Sequence, residues 1–130
     1  MKYLFDTHLL IWVADANLAG LLPRAVRDIV EDAANDVWFS AANIWEVVIK
    51  RALGRPDFQL DPTMLRLGAL ASGYQELPIT AAHALRVADL ASIHKDPFDR
   101  LLIAQARSEG AVLLTHDPVV AAYGANIQYV

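Results

Sequence analysis

The chain contains no cysteine, so it has neither a disulfide framework nor a cysteine-based zinc site. No apolar run reaches the roughly 20 residues of a membrane-spanning helix, although 55% of the 130 residues are hydrophobic. The sequence begins on a strand-like segment, without the pattern of a signal peptide. We therefore expect one cytoplasmic domain, residues 1–130, whose surplus apolar surface forms an interface.

Several catalytic motifs are also missing. The sequence has no glycine-rich loop that would hold a phosphate group and no serine-nucleophile motif. Its histidines are too scattered in sequence to form a zinc motif. They are His8, His83, His94 and His116. The acidic residues are therefore the remaining candidates for a functional site.

The net charge does not decide what kind of partner the protein binds. A formal charge of −4 by itself disfavours nucleic acid. Setting aside five acids that are candidates for one site leaves the rest of the chain at +1. Those acids are Asp6, Glu46, Asp96, Asp99 and Asp117, and the excess negative charge is therefore compatible with a single acidic site.

The hydrophobic pattern predicts strands that alternate with helices. We expect strands at residues 2–6, 36–39, 74–79, 111–115 and 126–129, the third of them short or at an edge because of Pro78. Helices are predicted to start near residues 7, 23, 41, 62, 81, 97 and 118. The helix over residues 41–53 is apolar on nearly every side, which predicts burial. This order indicates an α/β fold with a mainly parallel sheet.

Residues 94–110 contain an acid in an unusual position. Asp96 and Pro97 form a helix start, and Gly110 ends the helix. Helical spacing places Asp99 on the same face as Leu102, Ile103 and Ala106. A carboxylate on a core-facing stripe is costly unless it is paired or holds a cation.

Four acids are expected to converge at one edge of the sheet. Asp6 ends the first strand and Asp117 follows the late buried strand. Glu46 lies in the second turn of its helix, and Asp99 lies in the first turn of its own. Ligands of parallel α/β sheets bind outside the carboxyl ends of the strands. Crowded carboxylates repel one another, and Mg²⁺ or Mn²⁺ would relieve that repulsion and activate a water to attack a phosphodiester.

Each acid also has a structural alternative. Asp6 could cap the following helix, and Glu46 could pair with Lys50 four residues later. Asp117 has the same helix-starting pattern as Asp96, for which capping is a complete explanation. Asp99 could complete a pair of acids in the first helical turn, which the helix dipole favours. Only the set of acids, and no single one, favours a functional site.

Other polar residues are less specific. Ser40 could cap the third helix or bind a water on the metal. Basic residues around the acids could be solvated charges or could hold a phosphate backbone. They are Lys50, Arg51, Arg55, Lys95 and Arg100.

Four blocks of the sequence, in this order, resemble the PIN-domain family. They are Asp6-Thr7-His8, Ser40 with Trp45-Glu46 and Lys50, the segment 94–106, and Thr115-His116-Asp117. The similarity is closest to VapC-type toxins of toxin–antitoxin pairs and covers essentially the whole chain.

The resemblance implies a three-layer fold with four or five strands and about seven helices. It further implies a Mg²⁺- or Mn²⁺-dependent endoribonuclease that acts as a toxin, forms a homodimer and is repressed by a cognate antitoxin. Asp6, Glu46 and Asp99 match the core metal-site acids of the family, and Asp117 matches a more variable fourth.

Two other classes of protein are alternatives. A receiver-like signalling domain is also α/β with an acidic pocket, but it expects a lysine after a late strand, where this chain has His116 and Asp117. A PIN-like domain that only binds a partner would have no need of four clustered carboxylates.

Overall fold

The computed structural model describes all 130 residues and has a central sheet of five strands. All four strand pairings are parallel, in the order β3-β2-β1-β4-β5. The strands are β1 (Lys2–Phe5), β2 (Asp36–Ser40), β3 (Gln75–Leu77), β4 (Val112–Thr115) and β5 (Ile127–Tyr129).

Seven α-helices connect the strands and cover the sheet. They are α1 (Thr7–Ala14), α2 (Arg24–Glu31), α3 (Ala41–Ala52), α4 (Pro62–Ala71), α5 (Ala81–Arg86), α6 (Pro97–Glu109) and α7 (Pro118–Ala121). Short 3₁₀ turns lie at Ala16–Leu21, Pro56–Phe58 and Val87–Asp89. The α/β class, the parallel sheet and the number of helices are as predicted.

Alternation along the strands divides the core into two layers. Leu4 and Leu113, which are paired across β1 and β4, point to the side covered by α6. The next pair, Phe5 and Leu114, points to the side covered by α1 to α4. Because the three inner strands β1, β2 and β4 have helices packed against both faces, the fold has the expected three layers.

Two helices are shorter than the sequence predicts. The second, expected over 23–34, begins after Pro23 and ends at Glu31. The fifth, expected over 81–92, ends at Arg86 and gives way to a 3₁₀ turn. There the carbonyl oxygens of Val87 and Ala91 accept hydrogen bonds from the guanidinium of Arg100, which stabilises the non-helical path.

The predicted burial of α3 is wrong for one of its faces. Ala42, Glu46 and Val47 are buried, but Trp45 is 52% exposed and Val48 is 45% exposed. The sequence could not show this because every face of the helix is apolar, and only the position of the neighbouring elements decides which face is covered. Apolar side chains at the surface of α3 and α4 also include Ile49, Met64, Leu67 and Leu70.

None of the helices has the length and hydrophobicity needed to cross a lipid bilayer.

Candidate metal site

The predicted acids lie around the point where the chain direction across the sheet reverses. From β1 the chain proceeds outward to β2 and β3, then returns to β4 on the other side of β1. Such a switch point leaves a crevice at the carboxyl ends of the strands. Asp6 directly follows β1, and Asp117 lies two residues beyond β4.

Asp6 is buried and strongly hydrogen-bonded. Its Oδ1 accepts the backbone N–H of Leu9 at 2.9 Å and so caps α1. Its Oδ2 accepts the hydroxyl of Thr115 at 2.7 Å and the N–H of His116 at 3.2 Å, which ties β1 to β4. Burial raises the pKa of the Asp6 carboxyl despite these hydrogen bonds. Asp6 therefore caps α1, as its structural alternative supposed, and is also an acid of the site.

A buried amide positions the next part of the site. Asn43 is fully buried in α3 and donates to the carbonyl oxygen of Phe5 and the hydroxyl of Thr7. The Thr7 hydroxyl in turn donates to Oε1 of Glu46 at 2.5 Å. The orientation of Glu46 is thus determined by Thr7 of α1, which is itself held by Asn43 of α3.

Glu46 is paired with Lys50, as its structural alternative supposed. The Lys50 ammonium lies 2.5 Å from Oε2 of Glu46 and 3.1 Å from Oδ2 of Asp96. Burial opposes the charge of Lys50, yet the two carboxylates raise its pKa above the usual value. Burial also opposes the charge of Asp96, but Lys50 and the amides of α6 hold its pKa below normal. This pairing is in a buried position, unlike a solvated helix pair.

Asp96 has the predicted capping role. Its Oδ1 accepts the N–H groups of Phe98 at 2.8 Å and Asp99 at 3.2 Å, and Pro97 occupies the first helical position. The start of α6 thereby directs Asp99 towards the crevice. Leu102, Ile103 and Ala106 on the same stripe are completely buried, as the spacing predicted.

Asp99 belongs to a group of three potential ligands. Its Oδ2 lies 2.7 Å from Nε2 of His94, and the same nitrogen is 4.0 Å from Oδ2 of Asp117. All three donor atoms lie within 4.8 Å of one another. Oxygen and imidazole donors at this spacing fit a divalent cation such as Mg²⁺ or Mn²⁺.

The negative charge of Asp99 is not offset by enough positive charge nearby. Burial is the main cause that raises its pKa from 3.8 to about 7, and the negative charges of Asp96 and Glu46 contribute. The hydrogen bond with His94 acts in the opposite direction. A cation in this place would compensate the charge.

The structure brings the four predicted acids together only in part. Asp6 and Asp117 line one cavity of about 360 Å³ at the carboxyl ends of β1 and β4. Asp117 also joins the group with Asp99, and Glu46 is close enough to affect the titration of Asp99. Asp6 and Glu46 are not members of that three-residue group.

Sequence reasoning did not assign His94 to the site. It lies before the cap of α6, in a loop without a regular spacing to the acids. Its position depends on Tyr123, whose hydroxyl accepts the His94 N–H at 2.8 Å. Its sequence signals were its place five residues before Asp99 and its position at the start of the block 94–106, which resembles the PIN-domain family.

Ser40 and Arg100 have structural roles. The Ser40 hydroxyl accepts the N–H of Ala42 and donates to Oε1 of the buried Gln105, so Ser40 caps α3 as predicted. The guanidinium of Arg100 donates to the hydroxyl of Tyr123 as well as to the two carbonyl groups described above. These contacts occupy Arg100, which was one of the candidate phosphate-binding residues.

Residues 3–126 match the model of the PIN domain family, so the chain belongs to that family. No curated protein matches it.

Solved structures share the fold at low sequence identity. VapBC2 from Rickettsia felis, bound to a DNA fragment from its promoter, has a TM-score of 0.68 at 13% identity, covering 100% of this chain and 99% of its own. VapBC-1 from nontypeable Haemophilus influenzae has a TM-score of 0.65 at 19% identity, with coverage of 100% and 97%. A toxin-antitoxin complex from Klebsiella pneumoniae has a TM-score of 0.64 at 20% identity, with coverage of 97% and 95%.

Proposed function

We propose that this protein is a Mg²⁺- or Mn²⁺-dependent endoribonuclease and the VapC-type toxin of a toxin–antitoxin pair. The observation that carries the proposal is the group formed by His94, Asp99 and Asp117 beside the switch point of a PIN-domain sheet. A single domain over residues 1–130 would contain the whole catalytic apparatus.

The proposed site consists of the four predicted acids together with His94. Asp99, Asp117 and His94 would hold the ion, and Asp6 and Glu46 complete the acidic surroundings. A divalent cation would supply a water of lowered pKa and positive charge for the leaving oxygen of a phosphodiester.

The protein's own contribution is rigid placement. Thr115 and the N–H of His116 hold Asp6, while Thr7 and Lys50 hold Glu46. Asp99 is fixed by the first turn of α6, whose apolar stripe packs against the sheet. Acids held in this way do not need to reorganise when the cation and the phosphodiester bind.

The RNA substrate and the protein partners are proposed because the chain is similar to the PIN-domain family and to the structural neighbours. The structural neighbours include VapBC and toxin-antitoxin complexes, which supports a cognate antitoxin as partner of this chain. Exposed apolar residues of α3 and α4 supply surface for the antitoxin and for a homodimer. A cytoplasmic location completes the proposal.

The alternatives are less well supported. A receiver-like domain has the strand order 2-1-3-4-5, which differs from the order observed here. A PIN domain kept only for binding would have no use for Asp99, whose pKa is raised to about 7 by burial and neighbouring acids. Such a carboxylate is a cost to the fold unless a ligand compensates it.

The proposal is tested by incubating the purified protein with structured RNA in Mg²⁺ or Mn²⁺, with a chelator in a parallel reaction. We expect cleavage that requires the metal and is abolished by Asp99→Asn. Asp28→Asn is the matched control, since Asp28 is an exposed acid of α2 that belongs neither to the group nor to the lining of the adjacent cavity. Cleavage that persists in chelator or in Asp99→Asn would contradict the metal mechanism.

A further inference from the structure

Two pairs of acids in the site differ in the group that offsets their negative charge. Glu46 and Asp96 share the ammonium of Lys50, at 2.5 Å and 3.1 Å. Asp99 and Asp117 face only the imidazole of His94. One set therefore has a permanent cation from the chain itself, while the other does not.

The position of Lys50 is fixed by more than its two carboxylates. Its Nζ lies 4.9 Å from the ring centroid of Phe58 and 5.7 Å from that of Phe98, within the range of cation–π attraction. The side chain is only 15% exposed. A surface lysine that merely approached an acid would be more mobile and more solvated.

Every carboxylate oxygen of Glu46 and Asp96 accepts a hydrogen bond. Oε1 of Glu46 accepts from Thr7, and Oε2 accepts from Lys50. Oδ1 of Asp96 caps α6, and Oδ2 accepts from Lys50. The ammonium thus bridges a side chain of α3 and the cap of α6, and it supplies these two carboxylates with positive charge that a metal ion would otherwise have to supply.

We infer that Lys50 takes the place of a second metal ion, so that the site binds one divalent cation per chain, at His94, Asp99 and Asp117. This inference rests on the proposed metal site and adds its stoichiometry. Lys50 is then a positioning residue, which excludes a second cation by its own positive charge and leaves the first to the acids that lack one.

Removing this charge should have a specific effect on metal binding. A fixed positive charge close to a cation site weakens the binding of the cation, and it affects a divalent ion more than a monovalent one. Replacing Lys50 by an uncharged residue frees Glu46 and Asp96 for a second ion. It also removes the repulsion between the ammonium and the first ion.

The test is a titration with Mn²⁺ followed by calorimetry and by the electron paramagnetic resonance signal of free Mn²⁺. We expect one Mn²⁺ per wild-type chain. Lys50→Met should bind the first Mn²⁺ about tenfold more tightly or better and should gain a second equivalent. Lys50→Arg, which keeps the charge, should again bind one.

A matched control separates this local effect from net charge. Lys95 carries the same charge and lies in the loop before α6, but it is exposed. Lys95→Met should retain one Mn²⁺ with an affinity within about threefold of wild type, because solvent screens its charge. The wild-type stoichiometry tests the inference even if Lys50→Met fails to fold.

The possible outcomes separate the two proposals. Two Mn²⁺ in wild type, or one Mn²⁺ with unchanged affinity in Lys50→Met, would overturn the role of Lys50 and leave the metal site intact. Binding only after Lys50→Met would overturn both, because Lys50 would then exclude the first cation as well as the second. No binding in either protein would overturn both.

Discussion

Nε2 of His94 and Oδ2 of Asp99 lie 2.7 Å apart, although the cap of α6 separates the two residues along the chain. The histidine is held from behind by Tyr123, and the aspartate by the first turn of the helix. An imidazole and a carboxylate therefore face the same space, with Asp117 on its other side. This relationship gives the proposed metal site a nitrogen donor among its oxygen donors.

We expect His94 to favour Mn²⁺ over Mg²⁺. Mg²⁺ prefers oxygen ligands, whereas affinity for nitrogen increases towards the transition metals. His94→Asn should weaken Mn²⁺ binding by about 10- to 100-fold and Mg²⁺ binding much less. Calorimetric titration with each ion measures the difference.

His8 provides the control for this substitution. Its half-exposed imidazole lines the cavity beside Asp6 and Asp117 but is outside the three-residue group, and it pairs with Asp57. His8→Asn should leave both affinities within about threefold of wild type, because an exposed pair contributes little. Equal losses for Mn²⁺ and Mg²⁺ in His94→Asn would indicate that His94 only orients Asp99.

Asp99→Asn is expected to abolish cleavage without weakening the metal-free fold. The substitution removes a buried charge that is repelled by Asp96 and Glu46. At pH 8 in chelator, the free energy of unfolding should be unchanged or higher by about 1–2 kcal/mol. Urea denaturation measures it. A large loss of stability would show that Asp99 is needed for folding.

The metal-free protein should become less stable as the pH rises from about 4 to about 7. Since the pKa of Asp99 is raised to about 7 from 3.8, the folded state binds the proton more tightly than the unfolded chain. Its stabilisation is complete below the unfolded pKa and is lost as the pH passes the folded pKa. We expect a decrease of about 1–3 kcal/mol in the free energy of unfolding across this range.

Asp99→Asn should flatten this pH dependence, and saturating Mn²⁺ should remove it or reverse its sign, because metal binds the deprotonated carboxylate. Thermal melts in chelator and in Mn²⁺ at several pH values provide the comparison. An unaltered slope in Asp99→Asn would assign the dependence to another group, of which Asp6 is the first candidate because burial raises its pKa as well.

Features that depend on local sequence were predicted well. Asp96, Pro97 and Gly110 determine both ends of α6 through capping and backbone conformation, and they are found in those roles. Continuous apolar strands predicted the parallel sheet because burial on both faces requires them. The strand ends then located Asp6 and Asp117.

Features that depend on distant neighbours were not predictable in the same way. The Lys50 ammonium reaches Asp96 across 46 residues of sequence, and no spacing rule connects them. The exposed side of α3 has the same apolar character as its buried side, so Trp45 gave no signal of exposure. His94 became a candidate only when the loop carrying it was placed.

Asn43 should be the residue whose loss most disturbs the framework behind the site. Its fully buried amide donates to Phe5 and Thr7, and its oxygen accepts the N–H of Ser40 at 2.7 Å. Asn43→Ala leaves these buried groups without partners, which should lower the free energy of unfolding by about 2–4 kcal/mol. Asn17→Ala, at an exposed amide, should change it by less than about 0.5 kcal/mol. Urea denaturation of both variants in chelator measures the difference. A loss below about 1 kcal/mol in Asn43→Ala would mean that water or a rearranged backbone replaces these hydrogen bonds, and that the orientation of Glu46 does not depend on them.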